Sequence, residues 1–471
     1  MNLLTTSPSL RDLKFPLFLF VIFESVVFAF SVYEESPLLI FAALLGLALL
    51  VWSFYSVERT FYLFTFYVAF FPSYASYLRY PYLKMWVLLE VIAALIFLMF
   101  SYDFSRRIIA REKLFFQPMT LMDKAVVLFL IWTIFSAMWG LVYGGDVKYI
   151  YTELYFFGLY IVYFLIRRNF QDVNTLNTLW LVFIAISVIV SFEYIYIAFR
   201  ETGLGTGILI KRVSTQQPHL AQLAFPYLLS YFLFKSKTAN KKLVLVAIIP
   251  IFLMIFFSQQ RGLWVAIIFS TLVLWTFSSI REGVSFQHFF RFAFFLLISV
   301  AFLSAAAFLI DKFFLGSALM TMAERFNTLL ELATDMSLKI RMGEIRNAME
   351  QWRHVPIIGT GFGATINPVI LEHYPNNVVD NSYAAFLWKG GIIGLAIYLF
   401  MVAVFFIRGL NVFKNTKNVL IQRTVAALLA GFAGLMVIAL TNSCLAYYRY
   451  NIFWAMTFAT VELLYWHEKK S

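Results

Sequence analysis

The sequence predicts an all-α fold, a polytopic transmembrane helical bundle of about 12–14 spans with one long extracytoplasmic helical loop. Three observations predict it. Of the 471 residues, 62% are hydrophobic and 13% charged, which is more apolar surface than a soluble fold of this size can hide. Windows of about 20 mostly apolar residues recur along the chain, the length that crosses a bilayer core of about 30 Å. The basic clusters fall between those windows and, counted span by span, on one side.

The predicted spans cover approximately 15–33, 37–56, 60–78, 83–101, 124–143, 151–167, 177–198, 218–235, 242–259, 262–279, 291–314, 383–407, 423–443 and 448–466. Those at 60–78 and 151–167 are short or rich in Tyr. With Arg11 and Lys14 inside, alternation also puts Arg106 to Lys113, Arg167-Arg168, Lys235 to Lys242, Arg281, Arg408 to Arg423 and Lys469-Lys470 inside, as the positive-inside rule requires. The same count puts Glu34-Glu35, Gly144 to Asp146, Arg200 to Gln217, the tip Gln259 to Gly262 and the stretch 315–382 outside. The expected organisation is therefore transmembrane helices over 1–316, an extracytoplasmic loop over 317–382 that carries the chemistry, and further spans with a cytoplasmic tail over 383–471. Both termini are expected in the cytoplasm.

Several function classes drop out here. The net charge of +12 is spread over loops facing anionic headgroups, which suits a membrane surface and not a nucleic acid. One cysteine, Cys444, cannot form an internal disulfide, and no Cys/His spacing resembles a metal site, so neither metal nor cofactor is expected. The first apolar run has no small-residue cleavage site and is expected to act as its own insertion signal.

Cations on the outer side break the pattern and suggest an anionic ligand: Lys211, Arg212, Arg261, Arg325, Lys339, Arg341, Arg346 and Arg353. A long loop carries some arginine in any case. Arg261 differs because it sits in a very short turn at the membrane boundary, where a charge is costly without a partner.

Within the long loop, residues 317–334 show apolar positions at helical spacing and are expected along the interface. Ser337 reads as the N-cap of a helix from Leu338 to His354 that stops before Pro356. On it Arg341, Glu344 and Ala348 share a face, with Ile345, Met349 and Trp352 beside them. Arg341 is expected in the first turn, where unpaired N–H groups favour a nearby anion. The plainer alternative is an Arg341–Glu344 surface pair, which stabilises little.

The run Gly359-Thr360-Gly361-Phe362-Gly363 resembles a phosphate-cradling loop, but it lacks the Lys-Ser/Thr of a P-loop and the strand before it. Its glycines are better suited to close backbone approach to a neighbour or ligand. Asp380 and Asn381 precede a span, as ordinary caps or as a base at the rim of a cavity. Lys389 lies about two turns into that span and His219 opens another; both could face the same cavity. Glu24, Glu193 and Glu462 fall near span ends, where headgroup solvation is expected.

Four of these pieces resemble, in order and spacing, the O-antigen ligase and polymerase superfamily of bacterial membrane glycosyltransferases. They are Gln216-Gln217-Pro218-His219, the turn Ser258 to Gly262, Arg341 with Trp352 and Pro356 to Gly363, and Asp380-Asn381-Ser382-Tyr383 through Gly391 to Leu395. The resemblance covers about residues 210–400. It implies a C-type, metal-independent glycosyltransferase at the outer face of the inner membrane, with an undecaprenyl-diphosphate-linked glycan as donor. By position, Arg261 and Arg341 would bind the donor diphosphate and Asp380 would stand where the superfamily's ligases have His. Arg212, His219, Glu344, Trp352, His373, Asn381 and Lys389 would line the substrate site.

The chemistry of the residues agrees, because guanidinium forks bind phosphate oxygens bidentately and stay charged. The Asp could be a base if burial raised its pKa, whereas beside two arginines it is a weak base that orients the acceptor. His373 could loop back instead. The departure favours a repeat-unit polymerase over a ligase that delivers the glycan to lipid A-core. A flippase for the same lipid-linked sugar is a third reading, although no repeated halves with interrupted helices are visible. Membrane lipids, and a chain-length regulator or flippase, are the partners such a role implies.

Overall fold

Long apolar runs become helices in a bilayer because each backbone polar group must be satisfied within the segment. The computed structural model describes residues 56–74, 85–111, 119–201, 217–234, 241–282, 336–366 and 377–470. The predicted spans 15–33 and 291–314, nearly all of 37–56, the stretch 317–334, Arg212 and His373 lie outside them. Every regular element among the described residues is helical.

The chain divides into two compact units, residues 1–116 and 117–471. The first contains α1 (Val57–Tyr74) and α2 (Met85–Ile109), packed on each other. In α2 Arg107 Nε lies 3.0 Å from Asp103 Oδ1, one turn away.

The second unit begins with α3 (Leu121–Val142), α4 (Val147–Gly158) and α5 (Val162–Asn169). A 3-10 turn, Leu159–Ile161, joins α4 to α5, so the Tyr-rich predicted span is one rod over Val147–Asn169. It continues through α6 (Val173–Glu201), α7 (Ala221–Leu233), α8 (Lys241–Phe257), α9 (Arg261–Glu282) and α10 (Met336–Trp352). It closes with α11 (Ser382–Asn415), α12 (Val419–Ile438) and α13 (Tyr448–Lys470). Among the described residues six helices are long and apolar enough to cross a membrane: α3, the 147–169 rod, α6, α9, α11 and α12. This is a multi-pass membrane protein.

α12 is the centre of the second unit, buried on nearly every side, with α7 and α9 against it. Hydrocarbon tails are as apolar as leucine, so such helices hold together by close packing and interhelical hydrogen bonds. Small residues permit that approach: a Cβ on Gly434 would lie 2.0 Å from both Gln222 Nε2 and Ser270 Oγ. Gln222 Nε2 donates to Ser270 Oγ at 2.6 Å and to the Gly431 carbonyl at 3.1 Å, joining three helices.

The two ends of the unit differ in chemistry. At one end Arg167 Nε lies 3.7 Å from Asp123 Oδ1 and Arg408 Nε lies 3.6 Å from Glu462 Oε2. Glu462 is fully buried and also accepts from Trp466 Nε1 at 3.0 Å, so the expected headgroup solvation gives way to internal pairing. Asp123, also fully buried, accepts from Tyr163 at 2.6 Å and closes a capping box with Thr120. At the other end, about 25 Å along α3 at 1.5 Å per residue, lie Gly140, Asp146 and the residues that precede α11.

Candidate active site

α10 ends at Trp352, whose Nε1 donates to the Pro356 carbonyl at 3.0 Å. The helix starts at Met336, so Arg341 falls in its second turn and is not among the free N–H groups expected around it. Arg341 instead reaches the segment before α11, with Nε 3.4 Å from Asp380 Oδ2 and both side chains about a quarter exposed. Glu344, one turn further, does not sit in a simple surface pair: its Oε2 accepts the Asp380 backbone N–H at 3.1 Å.

Asp380 has a second neighbour. Ser443 Oγ lies 3.4 Å from its Oδ1 and 2.9 Å from the Tyr447 hydroxyl. Asn381 caps α11, accepting from Ala384 N at 2.9 Å, and donates through Nδ2 to the Leu440 carbonyl at 2.9 Å. Ser382 N donates to Ala439 O at 2.8 Å and Ser382 Oγ to Asn442 O at 2.7 Å. The turn after α12 is thus stitched along residues 380–382. On that same turn rests the start of α9: a Cβ on Gly262 would come within 2.7 Å of Thr441 Oγ1, so this backbone abuts Thr441 directly. Arg261 therefore begins its helix one residue from a contact that is two residues from Ser443, while Arg341 approaches Asp380 from α10.

The glycine run is a clamp and not an anion cradle. Every N–H in it is already committed: Gly359 to Val355 O, Thr360 to Trp388 O, Gly361 to Lys389 O and Phe362 to Ser136 O, at 2.9 to 3.0 Å, and Gly363 to Glu153 Oε2 at 3.0 Å. The reason lies in α11, which breaks at Gly391 with φ 60° and ψ −168°. On the far side of the break Ile392 N donates to Pro356 O at 3.0 Å and Ile393 N to Ile357 O at 3.1 Å. The loop supplies the hydrogen bonds the interrupted helix loses, as irregular backbone at membrane depth must have them. Gly361 packs on α3, where its Cβ would lie 2.4 Å from Gly140 N.

A cavity of about 100 Å³ opens beside this junction, lined by Trp132, Phe157, Phe362 and Phe386 with Ser443, Tyr447, Glu153 and Lys389. Lys389 Nζ is paired with Glu153 Oε1 and donates to the Asn377 carbonyl at 2.8 Å. His219 packs edge-on against Tyr450 at 5.1 Å between ring centroids and is 4% exposed. Glu153, Ser443 and Tyr447 were not legible as site residues. An acid at membrane depth in a Tyr-rich span, matched by a lysine at similar depth, was the available signal for Glu153.

Residues 244–399 match the family model described as O-antigen ligase. That match supports the resemblance of the chain to the O-antigen ligase and polymerase superfamily. Members of that superfamily are glycosyltransferase-type enzymes. No curated protein matches the chain. The matched region holds Arg261, Arg341, Glu344, Asp380 and Lys389, whereas Glu153, Ser443 and Tyr447 fall outside it.

The Glu344 carboxyl beside Asp380 is shifted. Burial pushes it above its ordinary 4.5; the Asp380 N–H opposes the rise, the Asp380 carboxylate adds to it and Arg341 opposes it. An acid whose folded pKa is raised contributes stability below pH 4.5 that is lost as pH climbs through the raised value. Glu344→Gln should therefore flatten the loss of thermal stability between pH 4.5 and 7 in detergent, and parallel curves for the two proteins would refute the assignment.

Proposed function

We propose that this chain is a glycosyltransferase that polymerises undecaprenyl-diphosphate-linked oligosaccharide repeat units at the outer face of the bacterial inner membrane. Arg341 and Arg261 hold the donor diphosphate. A hydroxyl of a second lipid-linked unit attacks the anomeric carbon, the bond to the diphosphate breaks, and lipid diphosphate leaves with its charge met by fixed guanidinium groups. Asp380 receives the hydroxyl proton. One observation carries the reading: Arg341 pairs with Asp380 on a junction against which the Arg261 helix start is packed through Gly262 and Thr441. Asp380 where the superfamily's ligases have His supports polymerase over transfer of the glycan to lipid A-core.

The test is purified protein with a lipid-linked repeat unit alone. Lengthened products are expected. Reaction only after a second acceptor is added would make it a ligase, and movement across a bilayer without bond formation a flippase. Asp380→Asn, which keeps the shape and the Ser443 contact, should lower the rate by about 10²- to 10⁴-fold, the range for loss of a general base. A loss below about tenfold would reduce Asp380 to an orienting group.

A further inference from the structure

We propose that Glu153 and Lys389 are positioning residues that set the place of Asp380. This rests on the reading of Asp380 as the base. The two side chains are each 8% exposed and form an ion pair between α4 and α11. Their remaining bonding capacity is spent on the segment leading to Asp380: Asn377 Nδ2 donates to Glu153 Oε1 at 3.0 Å, and Lys389 Nζ donates to the Asn377 carbonyl at 2.8 Å. Glu153 Oε2 accepts Gly363 N at 3.0 Å, which adds the glycine clamp. One carboxylate thus fastens three segments: the clamp, the approach to Asp380 and the half of α11 before its break.

Asn377 stands three residues before Asp380, a reach of at most about 11 Å. A displacement at Asn377 is therefore transmitted toward Asp380, whose backbone N–H is held by Glu344 at 3.1 Å but whose carboxylate has, among the described residues, only the 3.4 Å contacts with Arg341 and Ser443. The pair carries no net charge. It does not add a cation for the diphosphate; it holds the chain that presents the base. Glu153, Lys389 and Ser443 all line the aromatic cavity, so the clasp and the Ser443 that contacts Asp380 border one space.

The test compares Glu153→Gln, Lys389→Met and the double variant in detergent-purified protein. Each single change strands a buried partner and should lower both thermal stability and kcat. The double variant removes the stranded charge, so its stability should recover while kcat stays down about tenfold or more with KM within about threefold, because the Lys389 bond to Asn377 is still missing. Amide exchange read by mass spectrometry should rise about tenfold or more over 377–381 in all three, with α12 unchanged. Full recovery of kcat together with stability in the double variant, or unaltered exchange over 377–381, overturns the proposal. In an Asp380→Asn background Glu153→Gln should add little to the loss of kcat. If Asp380→Asn is itself nearly fully active, the reading of the base fails, while the exchange result still decides whether the pair anchors the segment.

Discussion

Arg341→Ala is expected to slow glycosyl transfer by about 10²- to 10³-fold, the effect of removing one fixed donor from where charge develops. Folding should hardly change. The Arg341–Asp380 pair is about a quarter exposed on each side, and a solvated pair of that kind stabilises by about 1 kcal/mol or less. The separation of the two magnitudes is the content of the prediction: an activity deficit of about 3–4 kcal/mol with a thermal midpoint close to wild type. Arg261→Ala should behave alike. Arg341→Lys should recover only part of the rate, since an ammonium keeps the charge but loses the planar fork. Initial rates on a lipid-linked repeat unit, with size-exclusion profiles, provide the check. Normal product lengths from both alanine variants would remove the arginines from the site.

Gly391→Ala should fail at an earlier stage, before activity can be asked about. Its φ of 60° with ψ of −168° belongs to a region open essentially to glycine alone, and forcing another residue there costs about 1–3 kcal/mol. The new Cβ would also lie 2.3 Å from Ile357 O and 2.5 Å from Gly359 N, main-chain atoms that cannot rotate aside. Relieving the overlap means withdrawing the inserted loop and its bonds across the break: Thr360 to Trp388, Gly361 to Lys389, Ile392 to Pro356 and Ile393 to Ile357. At about 1 kcal/mol each, these raise the loss to several kcal/mol. Gly144→Ala is the control. Gly144 also has positive φ, at 84°, but nothing lies within 4 Å of its Cβ position, so about 1 kcal/mol is expected. The yield of monodisperse protein and its thermal midpoint measure both. Equal effects at the two glycines would mean that the clamp contributes little.

The membrane class and the helical character of the spans follow from residue chemistry and order. Water and lipid impose those choices one segment at a time: a run of about 20 apolar residues has no other stable place, and alternation then sorts the loops. Even the short turn at Arg261 was legible, because a charge between two apolar runs is conspicuous. Local spacing could not reveal which partner a buried group meets across the bundle. The glycine run looked equally suited to a ligand or a neighbour until the break in α11 showed where its N–H groups go. Lys389 stood out as a lone cation because Glu153 lies 236 residues away in the chain, and Glu462 looked like a headgroup-level acid because Arg408 comes from another helix. Composition and period are properties of neighbouring residues, whereas desolvation makes a buried charge depend on whichever group packing brings within a few ångströms; the first can be read from the chain and the second only from the folded bundle.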